Sequence, residues 1–203
     1  MGRLGLLLLG AALGAVAMLA QMESRADWLS GLDFSLSTPE VPMEVLTAIH
    51  EAETRSYANE PLLRQMAEEV QDILVFAAPG LAYDLNYSVG RYRIRASTIE
   101  TILPWARERG YLTTPEHVPL DDLAEAMAYF AEQPILNDWQ AAVYLDWLRD
   151  DHPDLRDLGW EEIAADPVLI AKLYSGYMGA GGDWSGWQSD LSPGPVAMGR
   201  MGL

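Results

Sequence analysis

No cysteine occurs in the sequence, which excludes disulfides and thiolate chemistry and, because a lipidated cysteine is needed for it, a lipoprotein anchor. Lysine is represented by Lys172 alone, so no glycine-rich loop can carry the lysine of a phosphate-binding P-loop. His50, His117 and His152 are scattered and lack the spacing of metal ligands. Positive charge is also scarce, with 13 Lys+Arg against 30 Asp+Glu and a formal charge of −17. A surface of that sign repels nucleic-acid phosphates and anionic lipid alike, which argues against nonspecific nucleic-acid binding and disfavours simple electrostatic docking on lipid. Asp150, Asp151 and Asp154 cluster around Pro153, but their pattern is that of a solvated helix end rather than a calcium loop.

What is present is apolar and aromatic. Half the chain is hydrophobic, with seven Trp and nine Tyr among its 203 residues, enough for one packed domain. Arg3 precedes an uncharged run from Leu4 to Ala20 in which Ala15-Val16-Ala17 supplies a small-x-small site. Charged start, apolar middle and small residues form the order of a secretory signal, or of an uncleaved membrane tether over 4–20. The expectation is a signal or anchor over 1–20, a linker over 21–41, and an exported domain over 42–203 ending in a Gly-rich tail. Oligomeric state has no signature in the sequence.

From Pro42 onward the apolar spacing is helical. MEVLTAIHEAETRS places Val45, Ile49 and Glu53 on one stripe, and Glu44, Glu51 and Arg55 opposite. A second amphipathic helix is expected over 60–76, stopped by Pro79-Gly80, and further helices over 119–132, 134–150 and 160–176. The aromatic residues of QAAVYLDWL read as core. One stretch departs from helix: in SVGRYRIR, Tyr92 and Ile94 alternate with Arg91, Arg93 and Arg95, a period of two that predicts a short strand or hairpin with the arginines on one face. Ser97 and Glu100 then form an expected capping box for the helix STIETILPWARERG, which Pro104 should kink or shorten. The fold class is mostly α with one small β-hairpin.

Glu53 is the acid singled out by this pattern. It continues an apolar stripe, and a carboxylate carried toward an interior or a cleft is the kind whose pKa burial raises toward the range of a general acid. The alternative is a boundary residue paired with an arginine.

The order of segments resembles the lysozyme-like lytic transglycosylases. Glu53-Thr54 is similar to that family's helical Glu-Ser, and SVGRYRIRAST, with Gly90, Ile94, Ser97 and Thr98, to its Gly-x-x-Gln-Ile turn and Ser-Thr-Ala helix start. NDWQAAVYL from Asn137 to Leu145 is similar to its Asn-led helix, and AKLYSGY, with Ala171, Tyr174 and Gly176, to its Ala-x-x-Tyr-Asn-Gly segment. The resemblance covers about residues 42–180 and departs at Thr54 for Ser, Ser175 for Asn and Arg93 for the Gln of the cleft. It implies a lysozyme-like helical domain that cleaves the β-1,4 bond between N-acetylmuramic acid and N-acetylglucosamine in peptidoglycan strands. Glu53 would be general acid and then base, and Asp84 the candidate second carboxylate for a hydrolytic route. Ser88, Gly90, Arg93, Ile94 and Tyr174 would contact substrate, with Tyr174 alternatively holding the acid, and neither metal nor cofactor is implied. Arg93 in the Gln position favours a noncatalytic peptidoglycan-binding or scaffold protein that kept the fold, and a separate alternative is a membrane-tethered protein whose acidic helices dock on a partner.

Overall fold

The computed structural model describes residues 20, 23–24, 26–29, 31–58, 62, 79–129 and 133–179. The apolar run up to Leu19, the helix expected over 60–76 apart from Leu62, and the tail from Ala180 lie outside the described residues. Among the described residues no helix is long and apolar enough to cross a membrane. They form seven helices and two two-stranded sheets. In chain order the elements are β1 (Ser35–Leu36), α1 (Met43–Ala58), α2 (Pro79–Asp84), β2 (Ser88–Val89), β3 (Ile94–Arg95), α3 (Ala96–Glu108) and β4 (Leu112–Thr113). They continue with α4 (Leu120–Tyr129), α5 (Pro134–Asp151), α6 (Trp160–Ala165) and α7 (Pro167–Gly179).

Helix α5 is the axis of the fold. Pro134 occupies its first turn, where a missing N–H costs nothing, and Trp139, Ala142, Val143, Leu145 and Leu148 point in different directions yet are all enclosed. A helix apolar on every side must be surrounded, and α1, α3 and α7 all pack against it. Its one enclosed acid, Asp146, accepts hydrogen bonds from Tyr111 Oη at 2.9 Å and Trp160 Nε1 at 3.1 Å and pairs with Arg149 at 2.9 Å. Those partners replace the water the carboxylate gives up.

Three expectations from the sequence are corrected. The segment read as a linker is partly built into the domain: β1 pairs antiparallel with β4 in the register Ser35↔Thr113 and Leu36↔Leu112, and Trp139 Nε1 donates to the Ser37 carbonyl at 3.1 Å. Pro79-Gly80, read as a helix stop, itself lies in a helix, with Pro79 opening α2. The helix expected over 160–176 is two helices. The backbone is extended at Asp166 (φ −119°, ψ 106°), whose carboxylate accepts the Val168 N–H at 2.8 Å while Pro167 starts α7. Asp-Pro is thus an N-cap followed by a first-turn proline, a start signal that the apolar spacing across it obscured. Pro104, by contrast, leaves α3 continuous to Glu108.

At the end of α5 the chain turns over an enclosed histidine. His152 Nδ1 accepts the Asp154 N–H at 3.0 Å, and Asp154 pairs with Lys172 of α7 at 2.8 Å. Burial first, then the Lys172 charge, push the His152 imidazole below its ordinary value of 6.5, and the Lys172 hydrogen bond holds Asp154 below its ordinary 3.8. A histidine with a lowered pKa is proton-poor in the fold, so its contribution is complete above pH 6.5 and is lost as pH falls through 6.5 and then through the folded value. The Asp154 contribution is lost only below 3.8. Urea unfolding at pH 7, 6 and 5 should therefore show stability falling with pH. His152→Asn, which keeps an acceptor near the Nδ1 position without a titration, should flatten that decline while lowering stability overall. Equal slopes in the two proteins would contradict the assignment.

Candidate functional site

Helix α1 presents the two faces that its sequence separates. Val45, Ile49 and Ala52 are enclosed, and Glu53 continues their stripe half-buried. Glu51 faces water and pairs with Arg55 at 2.9 Å, both side chains about half exposed, a geometry worth about 0.3–0.5 kcal/mol. The inward acid is Glu53.

Helix α7 brings the partner. Tyr174 is fully enclosed, and its hydroxyl donates to Glu53 Oε1 at 2.6 Å. The distance is short because the acceptor is a carboxylate. Tyr174 thus sits on the acid and not at the surface, which selects the second of its two expected roles. Tyr177, one turn later, stacks on the Tyr174 ring at 6.1 Å and an interplanar angle of 25°. It also lies 5.0 Å from the ring of Tyr144, whose hydroxyl donates to the Tyr177 carbonyl at 3.3 Å. Burial, then the Glu53 charge, push the Tyr177 phenol far up, and burial does the same to Tyr144. Both remain protonated donors at neutral pH.

The hairpin forms as the alternation predicts, with Ser88↔Arg95 and Val89↔Ile94 in register, but it is shorter. Residues 90–93 make a turn closed by the Arg93 N–H on the Gly90 carbonyl at 3.1 Å, with φ of 68° at Gly90 and 55° at Arg93. The three arginines therefore do not share a strand face, which corrects the sequence reading. Arg91 is in the turn, pairs with Asp138 of α5 and lies 4.9 Å over the Tyr92 ring. Arg93 ends the turn half-buried, and Arg95 alone is on the strand, exposed. Burial still alternates, because Tyr92 and Ile94 are enclosed. Ile94 is accordingly a core residue and not a substrate contact, whereas Ser88 and Gly90 are partly exposed. Asp84 is exposed at the end of α2.

The turn is docked on α1 as well, since His50 Nδ1 lies 3.1 Å from the Arg91 carbonyl and its ring meets Tyr92 edge-on at 5.7 Å. Glu53, Tyr174 and the 90–93 turn are thus gathered at the junction of α1, α7 and the hairpin. Sequence reading missed Tyr177, Tyr144 and His50. The available signal was the pair Tyr174 and Tyr177 at i, i+3: buried phenols need partners, so such residues act as polar connectors as well as core. The phenol that donates to Glu53 favours the ionised form of this half-buried carboxylate. The Asp150 and Asp154 carboxylates, by contrast, are engaged by Arg109 and Lys172. No family model, curated protein or solved structure matches the chain.

The capping box expected at Ser97 and Glu100 is replaced by a tertiary cap. Helix α3 starts at Ala96 with no side-chain cap from Arg95, and the Ser97 N–H is taken by Asn86 Oδ1 at 2.9 Å. Glu100 instead accepts from Tyr83 Oη. Asn86 itself has φ 55°, a conformation that Asn and Gly tolerate. Asn86→Gly should remove only the cap, costing about 0.5–1 kcal/mol, while Asn86→Ala should cost about 1 kcal/mol more through its left-handed backbone. Equal stability of the two variants in urea titrations would contradict this account.

Proposed function

We propose that the chain is an exported enzyme that cleaves peptidoglycan glycan strands, with a lysozyme-like helical domain and Glu53 as its single essential acid and base. The observation that carries the reading is the 2.6 Å hydrogen bond from Tyr174 to Glu53, beside the Gly90–Arg93 turn. Two segments that resemble separate motifs of the lytic transglycosylases, 121 residues apart, meet at the residues the resemblance singles out.

The chemistry follows from the carboxyl group. The proton delivered to substrate is carried on the Glu53 carboxyl group and passes to the glycosidic oxygen as the bond to C1 of the muramoyl sugar breaks. The N-acetylglucosamine end leaves as the alcohol. The Glu53 carboxylate then takes the proton of the muramoyl 6-hydroxyl, whose oxygen closes on C1 to give the 1,6-anhydro sugar. One carboxylate serves both steps. A hydrolytic outcome would have water in place of the 6-hydroxyl and calls for a second carboxylate, for which Asp84 is the candidate. The Tyr174 bond keeps the acid in one rotamer through both transfers, and Ser88, Gly90 and Arg93 offer the substrate a rim that is polar and partly exposed. Neither step requires a metal or cofactor.

A second reading is a noncatalytic peptidoglycan-binding protein of the same fold, favoured by Arg93 standing where the family has Gln. The test is digestion of purified peptidoglycan with mass analysis of the released muropeptides. The unchanged protein should release anhydro-muropeptides. Glu53→Gln should lower the rate by at least 100-fold, and Glu51→Gln should leave it within about twofold. If Arg93 serves the substrate, Arg93→Gln should lower kcat/KM without moving the acidic limb of the pH profile. If it pairs with Glu53, the same change should shift the optimum upward. Full activity of Glu53→Gln refutes the catalytic role, and binding without cleavage by the unchanged protein establishes the second reading.

A further inference from the structure

We infer that Tyr177 is a positioning residue that locks the Gly90–Arg93 turn to the Glu53–Tyr174 pair and fixes the direction in which Arg93 is presented to substrate. The substrate role of Arg93 rests on the function proposed above; the lock itself does not.

The peptide unit between Tyr92 and Arg93 is held at both ends. Its carbonyl accepts the Tyr177 hydroxyl, and its N–H donates to the Gly90 carbonyl at 3.1 Å. A peptide group is planar, so bonds at its two ends set its orientation. That plane fixes the start of the Arg93 side chain. Arg93 adopts φ 55° there, which for a residue with a Cβ costs about 1–2 kcal/mol and persists only where the surroundings determine it. The Gly90 bond is local to the turn. The Tyr177 bond ties this peptide unit to α7, across 85 residues, while His50 of α1 and Asp138 of α5 hold the turn one residue earlier, at Arg91.

The same side chain supports the acid. The Tyr177 ring stacks on Tyr174, whose hydroxyl reaches Glu53, and its own backbone carbonyl is held by Tyr144 of α5. Tyr177 therefore has one connection to the acid through its ring, one to the turn through its hydroxyl, and one to the central helix through its carbonyl. It is 7% exposed, so its hydroxyl does not touch substrate. Tyr144 is the natural control, because its hydroxyl is spent on the Tyr177 carbonyl and reaches neither the turn nor the acid in this arrangement.

The experiment compares the unchanged protein with Tyr177→Phe and Tyr144→Phe, each of which keeps the ring and removes one hydroxyl. Amide hydrogen exchange followed by mass spectrometry on peptides spanning 88–96 reads the lock directly. Tyr177→Phe should speed exchange at 91–95 at least tenfold, and Tyr144→Phe by less than twofold there. On peptidoglycan, Tyr177→Phe should raise KM at least fivefold with kcat within about threefold, the pattern of a lost substrate contact outside the chemical step. Unchanged exchange at 91–95 overturns the lock, as does an equal increase in both variants. Faster exchange with unaltered KM overturns the presentation of Arg93 while leaving the lock. Absence of cleavage by the unchanged protein is a failure of the functional reading instead. The second comparison is then made on sedimentation with insoluble peptidoglycan, where Tyr177→Phe must weaken retention at least fivefold or the presentation of Arg93 is overturned. The exchange result stands whichever way activity falls.

Discussion

The hydrogen bond between Tyr174 and Glu53 closes the longest connection at the candidate site, joining the first long helix to the last described one. A half-buried carboxylate and an enclosed phenol each need hydrogen-bond partners in place of the water they give up. Each solves the other's problem, and the solution fixes how α7 lies against α1. Helix α5 fills the space between and around them. Its enclosure on all sides lets it act as a rigid reference, with Tyr144 toward α7 and Asp138 toward the turn. The site is therefore a consequence of how three helices and a hairpin meet.

Charge in this acidic chain is spent unevenly. Most of the described carboxylates face water, where they keep the surface negative at little structural cost. The scarce cations hold particular places: Arg149 on the enclosed Asp146, Arg91 between the turn and α5, Arg109 on Asp150, and Lys172 on Asp154 at the corner where α5 ends. Arg93 and Arg95 follow in the hairpin, so cations are concentrated where the chain otherwise offers anions.

Much of the helical architecture was legible because it depends on spacing. The stripe Val45, Ile49 and Glu53 put Glu53 inward and Glu51 outward, and both lie so. The alternation Tyr92, Ile94 marked the hairpin. What spacing does not encode is where a chain turns on a single residue. Asp166 and Pro167 divide one apolar pattern into two helices. Asn86, ten residues before α3, caps that helix from outside its own sequence, so the local Ser97-Glu100 signature was a false lead. Period two is silent about φ and so hides the turn at Arg93, whose left-handed backbone is stabilised by a partner far away in sequence. Tyr177 was missed for the same reason: its importance lies in a hydroxyl bound to a distant carbonyl.

The account rests on Glu53 and Tyr174 being energetically coupled and not merely adjacent. A double-mutant cycle with Glu53→Leu and Tyr174→Phe, read by urea unfolding at pH 7, measures that coupling directly. A hydrogen bond to a carboxylate at this depth should give an interaction energy of about 1–3 kcal/mol, with the double variant less destabilised than the sum of the singles. Additivity within about 0.5 kcal/mol would contradict the account, because the acid would then be held in place by something other than the tyrosine.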